Sequence, residues 1–160
     1  MTLEQRAAAL LQQCRLRGEK IATAESCTGG MVASLLTSIA GSSDVFDCSF
    51  VTYSNDAKKR MLGVSQDIIA GRGAVSRECA LSMAHGAILH SEATLAVSIT
   101  GIAGPGGGSV AKPVGLVHFA CVRRNGTTQH REQRFGDIGR NEVRLASVEV
   151  ALELLEAQVL

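Results

Sequence analysis

The sequence is poor in aromatic side chains, with no tryptophan, one tyrosine and four phenylalanines among 160 residues. A hydrophobic core must therefore be built mainly from alanine, valine, leucine, isoleucine and methionine. The same poverty disfavours a surface on which a single-stranded nucleic acid stacks its bases. The net charge is only +1, because 16 basic and 15 acidic side chains are mixed along the chain. Since no basic block could follow a phosphate backbone, no nucleic acid is expected as a partner.

Long apolar runs and paired cysteines are also missing. The longest apolar run, residues 114–122, is interrupted by His118 and is far shorter than the ~20 residues of a membrane span. The first 20 residues contain no apolar segment typical of a signal peptide. The five cysteines are scattered without a Cys-x-x-Cys pair, which favours reduced thiols and disfavours zinc. We therefore expect a cytoplasmic protein with no membrane partner and no bound metal.

The chain does contain enough apolar material for one globular domain. Apolar residues make up 46% of the sequence and charged residues 19%, a composition that excludes an intrinsically disordered chain. A domain of this length buries roughly two-thirds of its unfolded surface and needs no disulfide to remain folded. Because no repeat or linker interrupts it, we interpret residues 1–160 as a single domain.

The spacing of apolar residues predicts helices that alternate with strands. Helices are expected over 2–17, from about 30 to 40, from 54 or 55 to 62, and from about 139 to the C-terminus. Two further helices are expected to begin at residues 65 and 76. Strands are expected over 20–25, 47–53 and 93–100, and a hairpin over 114–123 and 127–135 around Asn125-Gly126. This alternation predicts an α/β protein, a three-layer α/β/α domain with a mixed, mostly parallel sheet.

Three segments at predicted strand ends concentrate small, polar and nucleophilic residues, and ligands bind at such ends in open α/β sheets. They are AESCTGG (24–30), VTYSNDAK (51–58) and TGIAGPGGGS (100–109). The glycine-dense third segment offers a backbone cradle for phosphate or carboxylate. No Gly-Lys-Ser/Thr follows it, which excludes a P-loop. A flexible surface loop is an equally good interpretation.

The first segment presents the Ser26 hydroxyl at a strand-to-helix turn. The backbone N–H groups of Thr28, Gly29 and Gly30 are then available to an oxyanion or a phosphate. The simpler interpretation is that Ser26 or Thr28 only caps the following helix. Cys27 is a rival nucleophile, because a helix N-terminus lowers the pKa of a thiol, although a small buried cysteine is the commoner outcome.

A nucleophilic serine needs a base, and none of the four histidines is expected at a strand-end turn. Lys58, in the first turns of a helix that follows a strand, can serve if burial and the helix end lower its pKa. The commoner alternative is that Lys58 and Lys59 form a solvated pair on the helix surface. In the last helix, Arg140 or Arg144 could hold a phosphate or pair with a surface carboxylate.

Together these segments resemble the CinA C-terminal family over almost the whole chain, from about Ala7 to Leu155. Several independent blocks in the right order make the resemblance specific. The blocks are TAESCTGG (23–30), GSS (41–43), FVTYSNDAKKRMLGV (50–64), GAVS (73–76), TGIAGPGGG (100–108) and KPVG (112–115).

The resemblance implies hydrolysis of the carboxamide of nicotinamide mononucleotide (NMN) to nicotinate mononucleotide and ammonia. It assigns Ser26 as nucleophile, Lys58 as base and Tyr53 as an assisting residue, with no metal and no cofactor. It also places Ser43, Thr100 and an arginine near the start of the last helix in the substrate pocket.

To these we add, as our own expectation of substrate binding, Thr28, Gly29, Gly30, Asn55, Gly101 and Gly104. The choice between Arg140 and Arg144 is left open, because the family commonly reads Gly-Asp-Arg at this point, whereas here Ile138 and Gly139 intervene before Arg140. The alternative function is a non-catalytic module that binds a nucleotide or a partner protein in competence or the response to DNA damage. A homodimer is plausible, since two-fold dimers are the commonest assembly.

Overall fold

A computed structural model, which describes all 160 residues, contains a five-stranded sheet with helices on both faces. The strands are β1 (Ile21–Glu25), β2 (Phe46–Val51), β3 (Leu95–Gly101), β4 (Leu116–Arg123) and β5 (Thr128–Arg134). The helices are α1 (Leu3–Arg17), α2 (Met31–Thr37), α3 (Asn55–Leu62), α4 (Gln66–Gly71), α5 (Arg77–Leu89) and α6 (Arg140–Val159). None of these helices is long and apolar enough to cross a membrane.

The sheet has the strand order β2-β1-β3-β4-β5. Strand β1 pairs in parallel with β2 and β3, whereas β4 pairs antiparallel with β3 and β5. Four strands therefore point one way and only β4 runs against them. The prediction of a mixed, mostly parallel α/β sheet with a terminal hairpin is confirmed.

The two faces of the sheet carry side chains of different size. Large residues of β3, such as Leu95, Val97 and Ile99, pack with α1, α2 and α6 in a core of 24 buried residues. The opposite face presents small residues, including Ala22, Ala24, Ala96 and Ala120, to a smaller core that contains α5. Small side chains let α5 lie close to the sheet, so the position of this helix is set by the alternation along the strands.

Helix α2 is shorter than predicted and ends at Thr37 instead of about residue 40. The Thr37 hydroxyl donates to the carbonyl of Ala33, and the Ser38 hydroxyl donates to the carbonyl of Leu35. Hydroxyls that bond to nearby carbonyls offer the backbone an alternative to continued helix. The chain instead turns at Gly41 into a short 3-10 helix, Ser42–Asp44, before β2.

Gly86 marks the closest approach between α5 and α3. A methyl group at this position would lie 2.1 Å from the carbonyl oxygen of Leu62. We expect Gly86→Ala to lower the free energy of unfolding by about 1–3 kcal/mol, because the two helices must move apart. Gly71→Ala in α4 is the control, since nothing lies within 4 Å of its added methyl. Urea unfolding of both variants checks this, and equal effects would contradict the close contact.

Candidate active site

The three chemistry-bearing segments meet at the carboxyl ends of β1, β2 and β3. They enclose a cavity of about 250 Å³. The cavity is lined by Ser26, Cys27, Tyr53, Gly101, Ile102, Ala103, Gly104, Gly106, Gly107 and Arg140. Nowhere in the chain do three or more His, Cys, Asp or Glu side chains come together as potential metal ligands. The predicted residues that share this cavity therefore supply a hydroxyl, a thiol, a phenol, a guanidinium and glycine backbone.

Ser26 and Lys58 are in direct contact. The Nζ atom of Lys58 lies 2.9 Å from Ser26 Oγ and donates to the backbone carbonyl of Thr52, also at 2.9 Å. Ser26 follows β1, while Lys58 extends from α3, which begins just after β2. Because β1 and β2 are adjacent parallel strands, their carboxyl ends bring the two residues together across 32 positions of sequence.

Lys58 is buried in uncharged surroundings. Only 2% of its surface is exposed, and both of its hydrogen-bond partners are neutral. Burial lowers the pKa of the Lys58 ammonium below the usual value for lysine. The neighbouring Lys59 instead donates to Gln66 at the surface. The interpretation of a solvated Lys58–Lys59 pair is wrong for Lys58, which has the environment of a general base.

Residues 26–30, here called the Ser26 turn, connect β1 to α2. The Ser26 N–H donates to the carbonyl of Ile99, which anchors the turn to β3. The N–H groups of Cys27, Thr28 and Gly30 have no acceptor in the protein, whereas that of Gly29 donates to the Ser26 carbonyl. The expectation of three free N–H groups is therefore wrong for Gly29. Three unpaired donors remain in the turn, and of these three residues Cys27 lines the cavity with Ser26.

The interpretation of Ser26 or Thr28 as a helix cap is also wrong. The N-cap of α2 is Gly30, at a φ of 105°, and no side chain of the cap residue bonds to the helix. The Thr28 hydroxyl donates to Glu25 instead. Ser26 Oγ is thus left to Lys58.

Cys27 lines the cavity but has the environment of an inert thiol. Its surface is 5% exposed, and burial raises the pKa of the Cys27 thiol to about 11. The attacking form of cysteine is the thiolate, which is scarce at neutral pH for such a group. The geometry therefore favours Ser26 over Cys27 as nucleophile.

The two candidate arginines have different positions. Arg140 donates to Tyr53 Oη at 2.6 Å and to the Gly104 carbonyl at 2.7 Å, and so bridges two segments of the cavity wall. Arg144 donates to the carbonyls of Cys27 and Thr28, at 3.0 and 3.4 Å, and does not line the cavity. Arg140 is therefore the arginine available to a ligand, and Arg144 supports the Ser26 turn.

Of the predicted substrate residues, Gly101, Gly104 and Arg140 line the cavity. Thr28, Gly29, Gly30 and Arg144 do not line it, and three others lie elsewhere. Thr100 is buried and donates its hydroxyl to the carbonyl of Ala74 at 2.8 Å. Asn55 is the exposed first residue of α3. Ser43 is exposed in the 3-10 helix before β2, at the opposite edge of the sheet from Ser26. Their assignment to substrate binding stays a prediction.

Sequence reasoning missed two residues that hold the site together. The first is Thr52, which acts through its backbone carbonyl, and a side-chain motif cannot reveal a backbone group. Glu25, in contrast, is an acidic residue in the strand IATAE, all of which is buried. A carboxylate in such a strand, next to the nucleophile, is the signal that could have revealed it.

The chain matches a family model along nearly its whole length. The model of the CinA C-terminal domain matches residues 3–159. A crystal structure of the competence/damage inducible protein CihA from Agrobacterium tumefaciens superposes with a TM-score of 0.95 at 57% identity. That comparison covers 97% of this chain and 94% of the other.

Two relatives of equal identity to this chain differ in their own length. Nicotinamide-nucleotide amidohydrolase PncC of Escherichia coli is 49% identical over 150 residues, which cover 93% of this chain and 90% of the relative. A CinA-like protein of Syntrophobacter fumaroxidans is 49% identical over 144 residues, 90% of this chain but 34% of the relative. The chain thus spans about a third of the length of the CinA-like proteins it matches.

Proposed function

The chain belongs to the CinA C-terminal domain family, and we propose that it hydrolyses the carboxamide of NMN to nicotinate mononucleotide and ammonia. The observation that carries the proposal is the buried contact between Lys58 Nζ and Ser26 Oγ beside the cavity. The similarity to an E. coli nicotinamide-nucleotide amidohydrolase along most of both chains supports the substrate.

Lys58 acts as the base in its neutral form. A neutral amine has two N–H bonds and one lone pair. Because the Thr52 carbonyl accepts one N–H, the lone pair can turn toward Ser26 Oγ, 2.9 Å away. The Ser26 hydroxyl gives its proton to Nζ while Oγ forms a bond to the carboxamide carbon.

The negative charge that develops on the amide oxygen needs donors already in place. The unpaired N–H groups of Cys27, Thr28 and Gly30 are the candidates, and Cys27 is the one of the three that lines the cavity. The Lys58 ammonium then returns the proton to the amide nitrogen, the C–N bond breaks and ammonia leaves. A nicotinate ester of Ser26 remains, and water repeats the sequence with Lys58 as base to release the acid.

Arg140 is proposed to hold the phosphate of the substrate, exchanging its contacts with Tyr53 and Gly104 for phosphate oxygens. We expect Arg140→Gln to raise KM for NMN by roughly 10- to 100-fold, since a hydrogen bond to a charged group contributes about 1.5–3 kcal/mol. The KM for the nucleoside without phosphate should change little. Steady-state kinetics with both substrates measure this.

Arg144→Gln is the matched control, since Arg144 bonds to the Ser26 turn and not to the cavity. This variant should lower kcat more than it raises KM for either substrate. A larger phosphate-dependent effect at Arg144 than at Arg140 would contradict the assignment.

The proposed reaction is tested by incubating the purified protein with NMN in EDTA and measuring ammonia and nicotinate mononucleotide. Release of both in equal amounts supports the deamidase. Calorimetric binding of NMN by a folded protein without release would instead support the non-catalytic nucleotide-binding module.

Several further properties belong to the same proposal. Residues 1–160 would act as one amidohydrolase domain without metal, cofactor or nucleic acid. All five cysteines are unpaired, which fits a cytoplasmic location. A homodimer is proposed only on the frequency of two-fold assemblies, and light scattering during size-exclusion chromatography tests it.

A further inference from the structure

The carboxylate of Glu25 is the most enclosed charged group beside the Ser26 turn. Glu25 is the last residue of β1 and directly precedes Ser26, and none of its surface is exposed. No cation lies at ion-pair distance from it among the salt bridges of the chain. A buried carboxylate without a cation must be stabilised by several hydrogen bonds.

Those hydrogen bonds come from the Ser26 turn, the first turn of α2 and the neighbouring strands. Glu25 Oε1 accepts from the Thr28 hydroxyl at 2.7 Å and from the Val32 N–H at 3.0 Å. Oε2 accepts from the Ala33 N–H and from the Thr23 hydroxyl, both at 3.0 Å. The Thr23 hydroxyl also lies 2.6 Å from Ser49 Oγ on β2. One carboxylate therefore ties β1, the Ser26 turn and the first turn of α2 together.

This arrangement replaces an ordinary helix cap. The N-cap residue Gly30 has a φ of 105° and no side chain to bond the first N–H groups of α2. Glu25 reaches those groups from the preceding strand and accepts from Val32 and Ala33. Glu25 occupies these two donors, and the N–H groups of Cys27, Thr28 and Gly30 in the Ser26 turn are left without a protein acceptor.

From these contacts we infer that Glu25 is a positioning residue, whose carboxylate fixes the Ser26 turn so that the hydroxyl and the free N–H groups of the turn keep their relative placement. The inference rests on the proposed function of Ser26. Glu25 acts through the turn, because it does not line the cavity. A displacement of about 1 Å at a reacting group can reduce the rate on the order of 10²-fold.

Two threonines with the same bond to Glu25 allow a matched test. Thr23 and Thr28 are both fully buried, and the hydroxyl of each lies within 3.0 Å of this carboxylate, that of Thr23 being shared with Ser49 Oγ. Thr28→Val removes the bond that reaches the turn, while Thr23→Val removes the bond that stays within the sheet. Both variants replace a hydroxyl by a methyl and keep the backbone N–H.

We expect Thr28→Val to lower kcat for NMN by about 10- to 100-fold with little change in KM, and Thr23→Val to change kcat by less than about threefold. The melting temperatures of both variants are measured as well. Equal losses of kcat in the two variants, or a loss of kcat that follows the melting temperature alone, would overturn the inference.

Glu25→Gln provides the second measurement. Glutamine keeps the size of the side chain, but its N–H₂ group replaces one carboxylate oxygen and cannot accept from the hydroxyl and N–H donors that face it. We expect kcat to fall at least as far as in Thr28→Val, and the double variant to lose little beyond Glu25→Gln alone, because both changes break one network. Independent, additive losses of kcat in the double variant would contradict a single network.

Failure of the inference is distinguishable from failure of the proposed function. Labelling of Ser26 by a sulfonyl fluoride, followed by mass spectrometry, reports on the hydroxyl without NMN. A wild-type protein that neither labels nor releases ammonia would remove the proposed function and the inference with it. A wild type that does both, beside a Thr28→Val variant that matches it, removes only the role of Glu25.

Discussion

Ser26→Ala is expected to reduce kcat for NMN hydrolysis on the order of 10⁴-fold or more, with a KM close to that of the wild type. The reason is that Ser26 Oγ is the atom that would form the acyl bond, and removal of a catalytic serine abolishes most of the rate enhancement. The variant should fold, because Ser26 Oγ contacts only Lys58 among side chains. Ammonia release and calorimetric binding of NMN measure the two effects separately.

Cys27→Ala is the control for the alternative nucleophile. Burial keeps the Cys27 thiol protonated at neutral pH by raising its pKa to about 11, so its removal should leave turnover within about tenfold of the wild type. A Cys27→Ala variant without activity, beside a Ser26→Ala variant that retains it, would reassign the nucleophile to Cys27.

Lys58→Met is expected to reduce kcat by about 10²- to 10⁴-fold, the usual range for loss of a general base. Methionine fills much of the buried space of the lysine stem but cannot take the Ser26 proton. Lys59→Met is the matched control, because Lys59 is the next residue of α3 and bonds to Gln66 at the surface. It should retain wild-type turnover, and an equal loss in both variants would contradict the role of Lys58.

The same residue predicts the direction of the pH dependence. Lys58 serves as a base only when it has lost its proton, so kcat/KM should fall as the pH drops below the pKa of Lys58. Because burial lowers that pKa, the active form persists to lower pH than for an exposed lysine. The falling limb on the acid side should be absent from the residual activity of Lys58→Met. A profile that is unchanged in that variant would show that another group titrates.

A lysine base differs from a histidine base in the environment that it requires. Histidine titrates near neutrality without help, whereas a lysine must be kept away from water and from carboxylates. The structure provides both conditions, since Lys58 is buried and its hydrogen-bond partners are a hydroxyl and a carbonyl. Only the folded chain buries this amine, so Lys58 has a lowered pKa only after folding.

Local sequence determined the elements and the chemical inventory of this protein. The spacing of apolar residues predicted the strands and helices, capping residues and glycines predicted most helix ends, and the Asn125-Gly126 turn predicted the hairpin. The Ser26 and Lys58 segments could be identified because their residue types stand next to strand ends, where parallel strands place them at one edge. The end of α2 was missed, because hydroxyls of Thr37 and Ser38 bond to its last carbonyls.

Tertiary structure decided which of these residues meet and in what state. Arg140 and Arg144 are one helical turn apart in sequence, yet only the packing of α6 places the first at the cavity and the second behind the Ser26 turn. The protonation state of Lys58 depends on burial by elements distant in sequence, and the role of Glu25 depends on donors from α2 and β1. Local sequence fixes a residue's chemistry and backbone preference, whereas desolvation and hydrogen-bond partners exist only after the chain has folded.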